Sequence, residues 1–124
     1  MELSARRFAD TLIVSPVGSI DHTTSDDLKQ ALAPHLERCA GGQDRVVLDL
    51  SGVEYVSSAG LRVLMLASRQ AKAQGGTLAL AALQPLVREV FEISRFNLVF
   101  QMFPSVRDAV AAVSASALAS FEAD

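Results

Sequence analysis

Cysteine, long apolar runs and a secretion signal are what this chain most clearly lacks. Its single cysteine, Cys39, cannot form an internal disulfide, which is typical of proteins kept in the reducing cytoplasm. Cys39 lies near a predicted helix end, and we interpret it as a small core residue and not as a nucleophile. Charges interrupt each apolar stretch before the roughly 18 residues that a membrane span requires. The first ten residues also lack the apolar segment of a signal peptide. We therefore expect a cytoplasmic protein without a membrane partner.

A basic surface is missing as well. The chain has 11 Lys and Arg against 14 Asp and Glu, a formal net charge of −3, and no run of basic residues. Proteins that bind nucleic acid normally carry a clustered basic patch, so we expect no nucleic-acid partner. The 124 residues, half of them hydrophobic, suffice for one compact domain over 1–124. We expect its Ala- and Ser-rich end, about 114–124, to fray.

Strand-like and helix-like segments alternate along the chain from Thr11 onward. β-Branched or continuous apolar runs, bounded by Gly, Pro or polar residues, mark the strands. The predicted strands are 11–20, 45–53, 77–83 and 98–103, with 3–8 pairing beside the first of them. Alternation of this kind favours a largely parallel sheet with crossover helices.

The predicted helices between these strands carry recognisable start and stop signals. Thr24 with Asp27, and Ser105 with Asp108, have the spacing of a capping box, in which each side chain answers the other's backbone N–H. The second of these boxes predicts that a single helix, 104–121, closes the chain. Pro34 lies inside the first helix, and we expect it to kink or split that helix because proline lacks the N–H of the helical ladder.

Polar residues collect where the predicted strands end. Asp21 follows the first long strand, Asp49 lies near the end of the next, and Ser57 and Ser58 stand where strand gives way to helix. The carboxyl ends of parallel strands are where functional groups usually gather. We therefore expect these four side chains to converge.

The two adjacent hydroxyls have several possible roles. A serine is a preferred helix cap, because its oxygen accepts a hydrogen bond from a free N–H of the first turn. A cap accounts for one of the serines, but not for two, nor for Gly60, which costs a helix about 1 kcal/mol relative to alanine. A hydrolase nucleophile would need the G-x-S-x-G turn, where this chain has Val56, and a general base from His22 or His35.

Two kinds of ligand binding remain open as weaker alternatives. The start of a helix attracts anions, although the glycine-rich fingerprints of nucleotide sites are absent. A metal could be bound by the acidic cluster near the first helix, but capping and solvated acids explain that cluster more simply. Its members are Asp21, His22, Asp26 and Asp27. We predict neither a metal nor a cofactor.

A covalent switch is the remaining role for the serine pair. A phosphoryl group adds a charge of about −1.5 to −2 at pH 7, which the positive end of a helix dipole tolerates. The same charge is costly where the helix start docks on an apolar or acidic protein surface. A modification that the fold tolerates and an interface rejects is what a binding switch needs.

The helix after Ser58 has a basic stripe that suits such an interface. Arg62, Met65, Arg69 and Lys72 are spaced to share one helix face. Residues expected on the neighbouring positions are Leu61, Leu64 and Ser68, and residues expected to face the sheet are Val63, Leu66 and Ala67. Basic residues around a methionine are typical of a partly apolar protein interface, although an ordinary solvated face has the same pattern.

The segments VVLDLSGVEYVSSAGLRVLMLA, GGTLAL and FPSVRDAV resemble the STAS domain, specifically the small stand-alone anti-sigma factor antagonists of bacteria. The resemblance covers nearly the whole chain, in order. It implies an α/β domain with a mixed, mostly parallel sheet of four to five strands and about four helices packed mainly on one side. It also implies a non-enzymatic partner switch. The unmodified antagonist binds an anti-sigma factor that is also a serine kinase, phosphorylation breaks the complex, and a metal-dependent serine phosphatase restores it.

Carried onto this sequence, the resemblance assigns the phosphoacceptor to Ser58, with Ser57 as second choice, and matches Asp21 and Asp49 to acidic positions of the family. The predicted partner-binding residues are Asp21, Ser57, Ser58, Gly60, Leu61, Arg62, Met65 and Arg69. Family members often have an aspartate where this chain has Ser57, and a glycine where it has Arg95. We expect Asn97 to take the strained backbone position in place of that glycine.

Two rival functions are open at this point. One is a STAS-type docking subunit of a transporter or sensory assembly, which uses the fold for constitutive binding without a phosphorylation switch. The other is a small hydrolase with a serine nucleophile.

Overall fold

The computed structural model describes residues 2–39, 41 and 44–123, which form six strands and five helices. The strands are β1 (Glu2–Phe8), β2 (Thr11–Ile20), β3 (Arg45–Asp49), β4 (Val53–Val56), β5 (Thr77–Ala81) and β6 (Gln101–Phe103). The helices are α1 (Ser25–Arg38), α2 (Ser58–Ala73), α3 (Pro85–Ile93), α4 (Val106–Val113) and α5 (Ala115–Ala123). None of these described helices combines the length and apolar character needed to cross a bilayer.

The sheet is mixed and mostly parallel, as predicted. Its strand order is β1-β2-β3-β5-β6, with β4 also paired to β2. Only β1 is antiparallel to its neighbour, and it pairs with β2 along its whole length. The predicted pairing of 3–8 beside the first long strand is therefore confirmed. The strand and helix numbers each exceed the expectation by one, because two predicted elements are divided in the structure.

The first divided element is the predicted strand 45–53, which is two strands and not one. β3 pairs with the first half of β2, and β4 then pairs with its second half after a turn at Ser51–Gly52. Asp49 stabilises this turn, since its Oδ1 accepts a hydrogen bond from the Ser51 N–H at 3.0 Å. Pro16 lies in β2 between the two pairings, so its missing N–H removes no ladder hydrogen bond.

The second divided element is the closing helix, which breaks at Ser114 into α4 and α5. Ser105 caps α4 as expected, because its Oγ accepts from the Asp108 N–H at 3.0 Å. Residues after Val113 were expected to fray, but they form α5, which packs Phe121 edge-on against Phe8 with ring centroids 5.3 Å apart.

Helix α1 corrects two further expectations. The Thr24 side chain makes no cap hydrogen bond to α1, so the predicted capping box with Asp27 is wrong. Of the two outcomes expected at Pro34, a kink or a split, the split is wrong, because α1 continues without interruption to Arg38. Cys39 follows α1, is fully buried, and its Sγ lies 3.2 Å from the Thr77 carbonyl oxygen, which confirms the interpretation as a core residue.

The two faces of the sheet are covered by different helices. The larger core cluster joins the sheet to α1, α2 and α3. A smaller cluster, which includes Phe8, Ile13, Val47 and Ala109, joins the opposite face to α4 and α5. Three of the five helices thus share one side, in agreement with the expected one-sided arrangement.

One left-handed residue differs from the expectation. Arg95, and not Asn97, adopts the left-handed conformation that ends α3, with φ of 60° and ψ of 18°. The chain thus keeps the turn for which a glycine would be better suited, and keeps it with an arginine.

Candidate functional site

The strands β2 and β4 end side by side, and this places the serine pair next to Asp21. Ile20 and Val56 are register partners at the last step of the parallel ladder. The Ser57 N–H then donates to the Ile20 carbonyl oxygen at 2.8 Å, which continues the ladder by one bond. Asp21 and Ser57, the next residue of each strand, are therefore neighbours at the carboxyl edge of the sheet.

Gly60 lets the first turn of α2 rest directly on the end of β2. A Cβ at this position would lie 2.7 Å from both the carbonyl oxygen and the Cγ2 of Ile20, and 3.0 Å from Val56 Cγ1. A backbone oxygen cannot rotate away, so only glycine permits this approach. The glycine that a simple cap did not explain is thus required by packing, and it fixes where the N-terminus of α2 lies.

The two serines have different environments. Ser57 is the N-cap of α2, half-buried, and its Oγ accepts from the Gly60 N–H at 3.2 Å. Ser58 is the first helical residue and is exposed, and its hydroxyl has no hydrogen-bond partner within 2–39, 41 and 44–123. One hydroxyl of the pair therefore serves the fold, and the other is presented to solvent.

Asp21 organises the loop that enters α1. Its Oδ1 accepts hydrogen bonds from the Thr23 N–H at 2.9 Å and from the Thr24 N–H at 3.1 Å. The Thr23 hydroxyl donates to the same oxygen at 2.6 Å. These bonds favour the charged carboxylate, the Thr23 hydroxyl most of all, and lower the pKa of Asp21 to about 2. The loop beside Ser57 thus carries a fixed negative charge.

Thr24 connects this loop to β2 and does not cap the helix. Its Oγ1 donates to the Ser19 carbonyl oxygen at 2.7 Å and accepts from the Asp21 N–H at 2.9 Å. With its hydroxyl engaged on the strand side, Thr24 cannot form the predicted capping box.

Asp49 does not join the other three residues. Its carboxylate lies on the opposite face of the sheet, where Oδ2 accepts from the Ser15 hydroxyl at 3.2 Å. It lines a groove there with Phe8 and Phe121. The predicted convergence holds for Asp21, Ser57 and Ser58, but it is wrong for Asp49, since alternate residues of a strand face opposite sides of the sheet.

The alternative chemistries receive little support from the geometry. His35 lies among Arg7, Arg38 and Asp44, and burial lowers its pKa. Asp44 immediately precedes β3, so this group lies at the opposite end of the sheet from Ser58. His22 is exposed on the Asp21 loop. Within the described ranges, no three His, Cys, Asp or Glu side chains are grouped closely enough to hold a metal ion.

The outward side of α2 forms a shallow groove that begins at Ser58, here called the Ser58 groove. The residues that line it are Ser58, Arg62, Met65, Leu66, Arg69 and Phe96. Arg62 and Arg69 are exposed and Met65 is half-buried, so three of the predicted partner-binding residues share this surface with Ser58. Cationic side chains therefore flank an apolar floor, directly beside a free hydroxyl.

Two residues of α2 were assigned to the wrong environment. Leu66 was expected to face the sheet, but it is 45% exposed and contributes apolar surface to the groove. Leu61 was predicted to bind the partner, but it is only 6% exposed and packs in the core beside Leu64. The two leucines are five positions apart and so cannot share a helix face.

An apolar region after α3, which the sequence analysis did not identify, continues from the groove. Leu98 is 78% exposed and shares a cavity beside α2 with Val99, and Ile93, the last residue of α3, is 75% exposed. Large exposed aliphatic side chains in one neighbourhood mark an interaction surface. The sequence indicates this exposed region only through the apolar pair Leu98–Val99 beyond a helix end, and such a pair is equally typical of a strand.

Comparison with known proteins gives a consistent result. The sequence profile of the STAS domain matches residues 2–109. A protein of Bordetella bronchiseptica, named as the anti-sigma factor antagonist BtrV, is 40% identical over 118 residues, which are 95% of this chain and 98% of its own.

Solved structures show the same fold. An anti-sigma factor antagonist from Mycobacterium paratuberculosis superposes with a TM-score of 0.80 at 26% identity, over 90% of this chain and 92% of its own. The Bacillus cell fate determinant SpoIIAA in its phosphorylated form superposes with a TM-score of 0.67 at 16% identity, over 91% of this chain and 100% of its own.

Proposed function

This chain belongs to the STAS domain family, and on that premise we propose that it is an anti-sigma factor antagonist switched by phosphorylation of Ser58. The observation that carries the proposal is the contrast between the two serines. The Ser57 hydroxyl is engaged as the cap of α2, whereas the Ser58 hydroxyl is exposed at the head of a groove with the composition of an interface. The role named for relatives of this chain, anti-sigma factor antagonist, agrees with such a surface.

The fold should tolerate a phosphoryl group on Ser58. This residue opens α2, where the free N–H groups and the helix dipole favour negative charge. The first turn of α2 itself contains no acidic residue, and the like charge that the phosphate meets is that of Asp21, on the loop beside Ser57. Arg62 lies one turn further along on the same surface and is exposed, within the spacing at which helical charges attract.

A bound partner would not tolerate the same group. Docking on the Ser58 groove would bring an apolar or acidic surface onto Met65 and Leu66 and remove water from Ser58. Burying an uncompensated dianion costs several kcal/mol, which corresponds to a loss of binding of a hundredfold or more. Phosphorylation would thus abolish the complex and leave the free domain folded.

The partner that fits this switch is an anti-sigma factor with serine kinase activity in the cytoplasm. In this scheme, the antagonist is the kinase's substrate as well as its ligand, and it performs no catalysis itself. A metal-dependent serine phosphatase would restore the binding form. The Bacillus protein of this fold, which was solved in a phosphorylated form, gives a precedent for modification of such a domain.

Binding measurements on variants of Ser58 test the proposal. Ser58→Ala should bind the kinase partner with wild-type affinity and resist modification by the kinase and ATP. Ser58→Asp should unfold at the same denaturant concentration as the wild type and bind at least about tenfold more weakly. Ser120→Asp, an exposed serine on α5, is the matched control and should leave binding unchanged.

Mass spectrometry of the phosphorylated protein tests the choice of acceptor. We expect phosphate on Ser58 and none on Ser57, because the Ser57 hydroxyl is held at 3.2 Å from the Gly60 N–H. Phosphate on Ser57 alone would contradict the assignment. A complex that forms equally well with Ser58→Asp would favour a constitutive docking subunit over a switch.

A further inference from the structure

Helices α1 and α2 face each other along two stripes of residues with the same spacing. A cavity between them is lined by four residues of each helix, at positions i, i+3, i+4 and i+7. These residues are Lys29, Leu32, Ala33 and Leu36 of α1, and Val63, Leu66, Ala67 and Gln70 of α2. Each stripe has an alanine at its third position, where a larger side chain would fill the space between the helices. The two alanines thus account for a gap in an otherwise packed contact.

The cavity has a volume of about 90 Å³, with a buried apolar floor and an exposed rim. The floor residues, all buried, are Leu32, Leu36, Val63 and Ala67, and the rim residues, all exposed, are Lys29, Ala33, Leu66 and Gln70. An apolar cavity of about 150 Å³ can hold a benzene molecule in place of water. The smaller space between α1 and α2 therefore suits an alkyl chain of roughly four carbons.

The charge at the rim is positive. Lys29 is the one ionisable side chain among the residues that line the cavity. It forms no ion pair with any other residue of the part of the chain that the structure describes. Its long flexible stem lets the ammonium group reach over the opening, and the Gln70 amide adds a second hydrogen-bond donor. An anionic head group matches this rim, whereas a cationic one would be repelled.

We propose that the cavity between α1 and α2 binds a short-chain aliphatic carboxylate. The alkyl chain lies between the helices and the carboxylate pairs with Lys29. Each methylene group buried in the cavity strengthens binding about fourfold. The exposed ion pair with Lys29 adds a factor of up to about five. A ligand this small binds in the millimolar range.

This cavity adjoins the Ser58 groove but is distinct from it. Leu66 is the one described residue that lines both. A bound carboxylate would therefore contact a side chain of the surface proposed for partner docking. The proposal does not rest on phosphorylation, because Ser58 lines the groove and not the cavity.

NMR titration of the ¹⁵N-labelled protein with sodium hexanoate tests the site, at constant pH and ionic strength. Amide shifts should saturate and be largest near Ala33, Val63 and Ala67. Hexanoate should bind about two- to fivefold more tightly than hexan-1-ol, because the alcohol lacks the charge. Hexylamine should bind more weakly than either. Shifts that do not saturate, or hexylamine binding as tightly as hexanoate, would overturn the proposal.

The length of the alkyl chain provides a second test, which measures the size of the cavity. Affinity should rise at least about fourfold from butyrate to hexanoate, since more of the chain is buried. Octanoate should bind less than about twofold more tightly than hexanoate, because the cavity is already full. A steady rise through octanoate would show general adsorption to apolar surface and would contradict a site of this volume.

Two substitutions at exposed rim positions separate the alkyl site from the charge. Ala33→Leu should cover the cavity and weaken hexanoate binding about tenfold, whereas the matched control Ala73→Leu, at the exposed end of α2, should not. Lys29→Gln should reduce the affinity for hexanoate to that for hexan-1-ol and leave hexan-1-ol binding unchanged. Lys72→Gln removes the same charge outside the cavity and should change neither. Undiminished binding by Ala33→Leu, or equal losses in the two lysine variants, would exclude the site.

Discussion

The two faces of the sheet bury very different side chains. Under α1, α2 and α3 the core is built from large aliphatic and aromatic residues, such as Ile20, Leu64 and Phe91, all fully buried. Under α4 and α5 many contacts are made by alanine, as at Ala79, Ala81 and the two helices above them. The helix that presents Ser58 therefore rests on the face with the larger buried side chains, and Ser58 itself is exposed outside that core.

Polar contacts also stabilise the face of the sheet under α4 and α5, where the buried side chains are smaller. Asp10 accepts a hydrogen bond from the Ser114 hydroxyl at 2.6 Å and forms an ion pair with Arg45. The same Ser114 oxygen accepts from the Ala117 N–H at 3.2 Å, so it also caps α5. The comparison suggests that α5 is held by a few specific bonds, and α2 by a large apolar area.

Replacing one phenylalanine on each face by alanine should give the largest difference in unfolding free energy between the two faces. Each ring packs against another: Phe91 lies 5.5 Å from Phe100, and Phe121 lies 5.3 Å from Phe8. Phe91→Ala should lower the free energy of unfolding by about 3–5 kcal/mol, because the side chain is fully buried. Phe121→Ala should cost only about 1–2 kcal/mol, since that ring is half-buried. Urea unfolding measures both, and equal losses would contradict the contrast between the faces.

Gly60→Ala addresses the contact between α2 and the sheet. The new methyl group would lie 2.7 Å from the Ile20 carbonyl oxygen, so α2 or β2 must shift. We expect a loss of about 1–3 kcal/mol from overpacking, although alanine favours the helix. Ala59→Gly is the matched control at the adjacent position, where the loss should reflect helix propensity alone. An unchanged or raised midpoint for Gly60→Ala would show that the first turn of α2 is less constrained than the distances indicate.

Ser114→Ala should have a smaller and more local effect, on the α5 side. It removes the hydrogen bond to Asp10 and the cap of α5, for a combined cost of about 1 kcal/mol. Amide exchange in α5 should accelerate while exchange in α2 stays the same. If both helices changed together, the two faces would unfold as one unit.

Acid titration checks the same contact through Asp10. The Ser114 hydroxyl and, less strongly, Arg45 lower the pKa of Asp10. Because the folded-state pKa lies below the unfolded value, this stabilisation is complete above about pH 4 and is lost as the pH falls through the lower folded value. NMR titration should place the Asp10 midpoint higher in Ser114→Ala than in the wild type. An unchanged midpoint would show that Ser114 does not stabilise the carboxylate.

The sequence predicted the elements on either side of the serine pair better than it predicted the turn within 45–53. The strand ending at Ile20 and the helix that follows the serine pair are predicted from local patterns, and the structure confirms both. The turn inside 45–53 was missed because Leu50 continues the apolar run and is itself fully buried. Its direction is set by the hydrogen bond from Ser51 to Asp49, which hydrophobic periodicity does not reveal.

The side of α2 that faces solvent could be predicted only in part. The sequence placed the charged residues Arg62 and Arg69 correctly on the exposed side of α2. The type of an apolar residue does not show in the same way whether it is exposed or buried. Leu61 and Leu66 have the same side chain, and only the packing of α2 over β2 decides which of them is buried. The misplaced Thr24 cap has a similar cause, because the spacing of residues along the helix does not reveal that the Ser19 carbonyl near the end of β2 competes for the Thr24 hydroxyl.

Arg95→Gly gives the smallest expected effect, and its sign is opposite to the others. Arg95 is exposed and adopts a φ of 60°, which costs an ordinary side chain conformational energy that glycine does not incur. Glycine also has more freedom in the unfolded chain, so the net gain in unfolding free energy should stay below about 1 kcal/mol. Asn97→Gly is the matched control and should destabilise, since Asn97 has no positive φ. If Arg95→Gly also destabilised, the Arg95 side chain would have to make a contact within the folded domain that outweighs the cost of its positive φ.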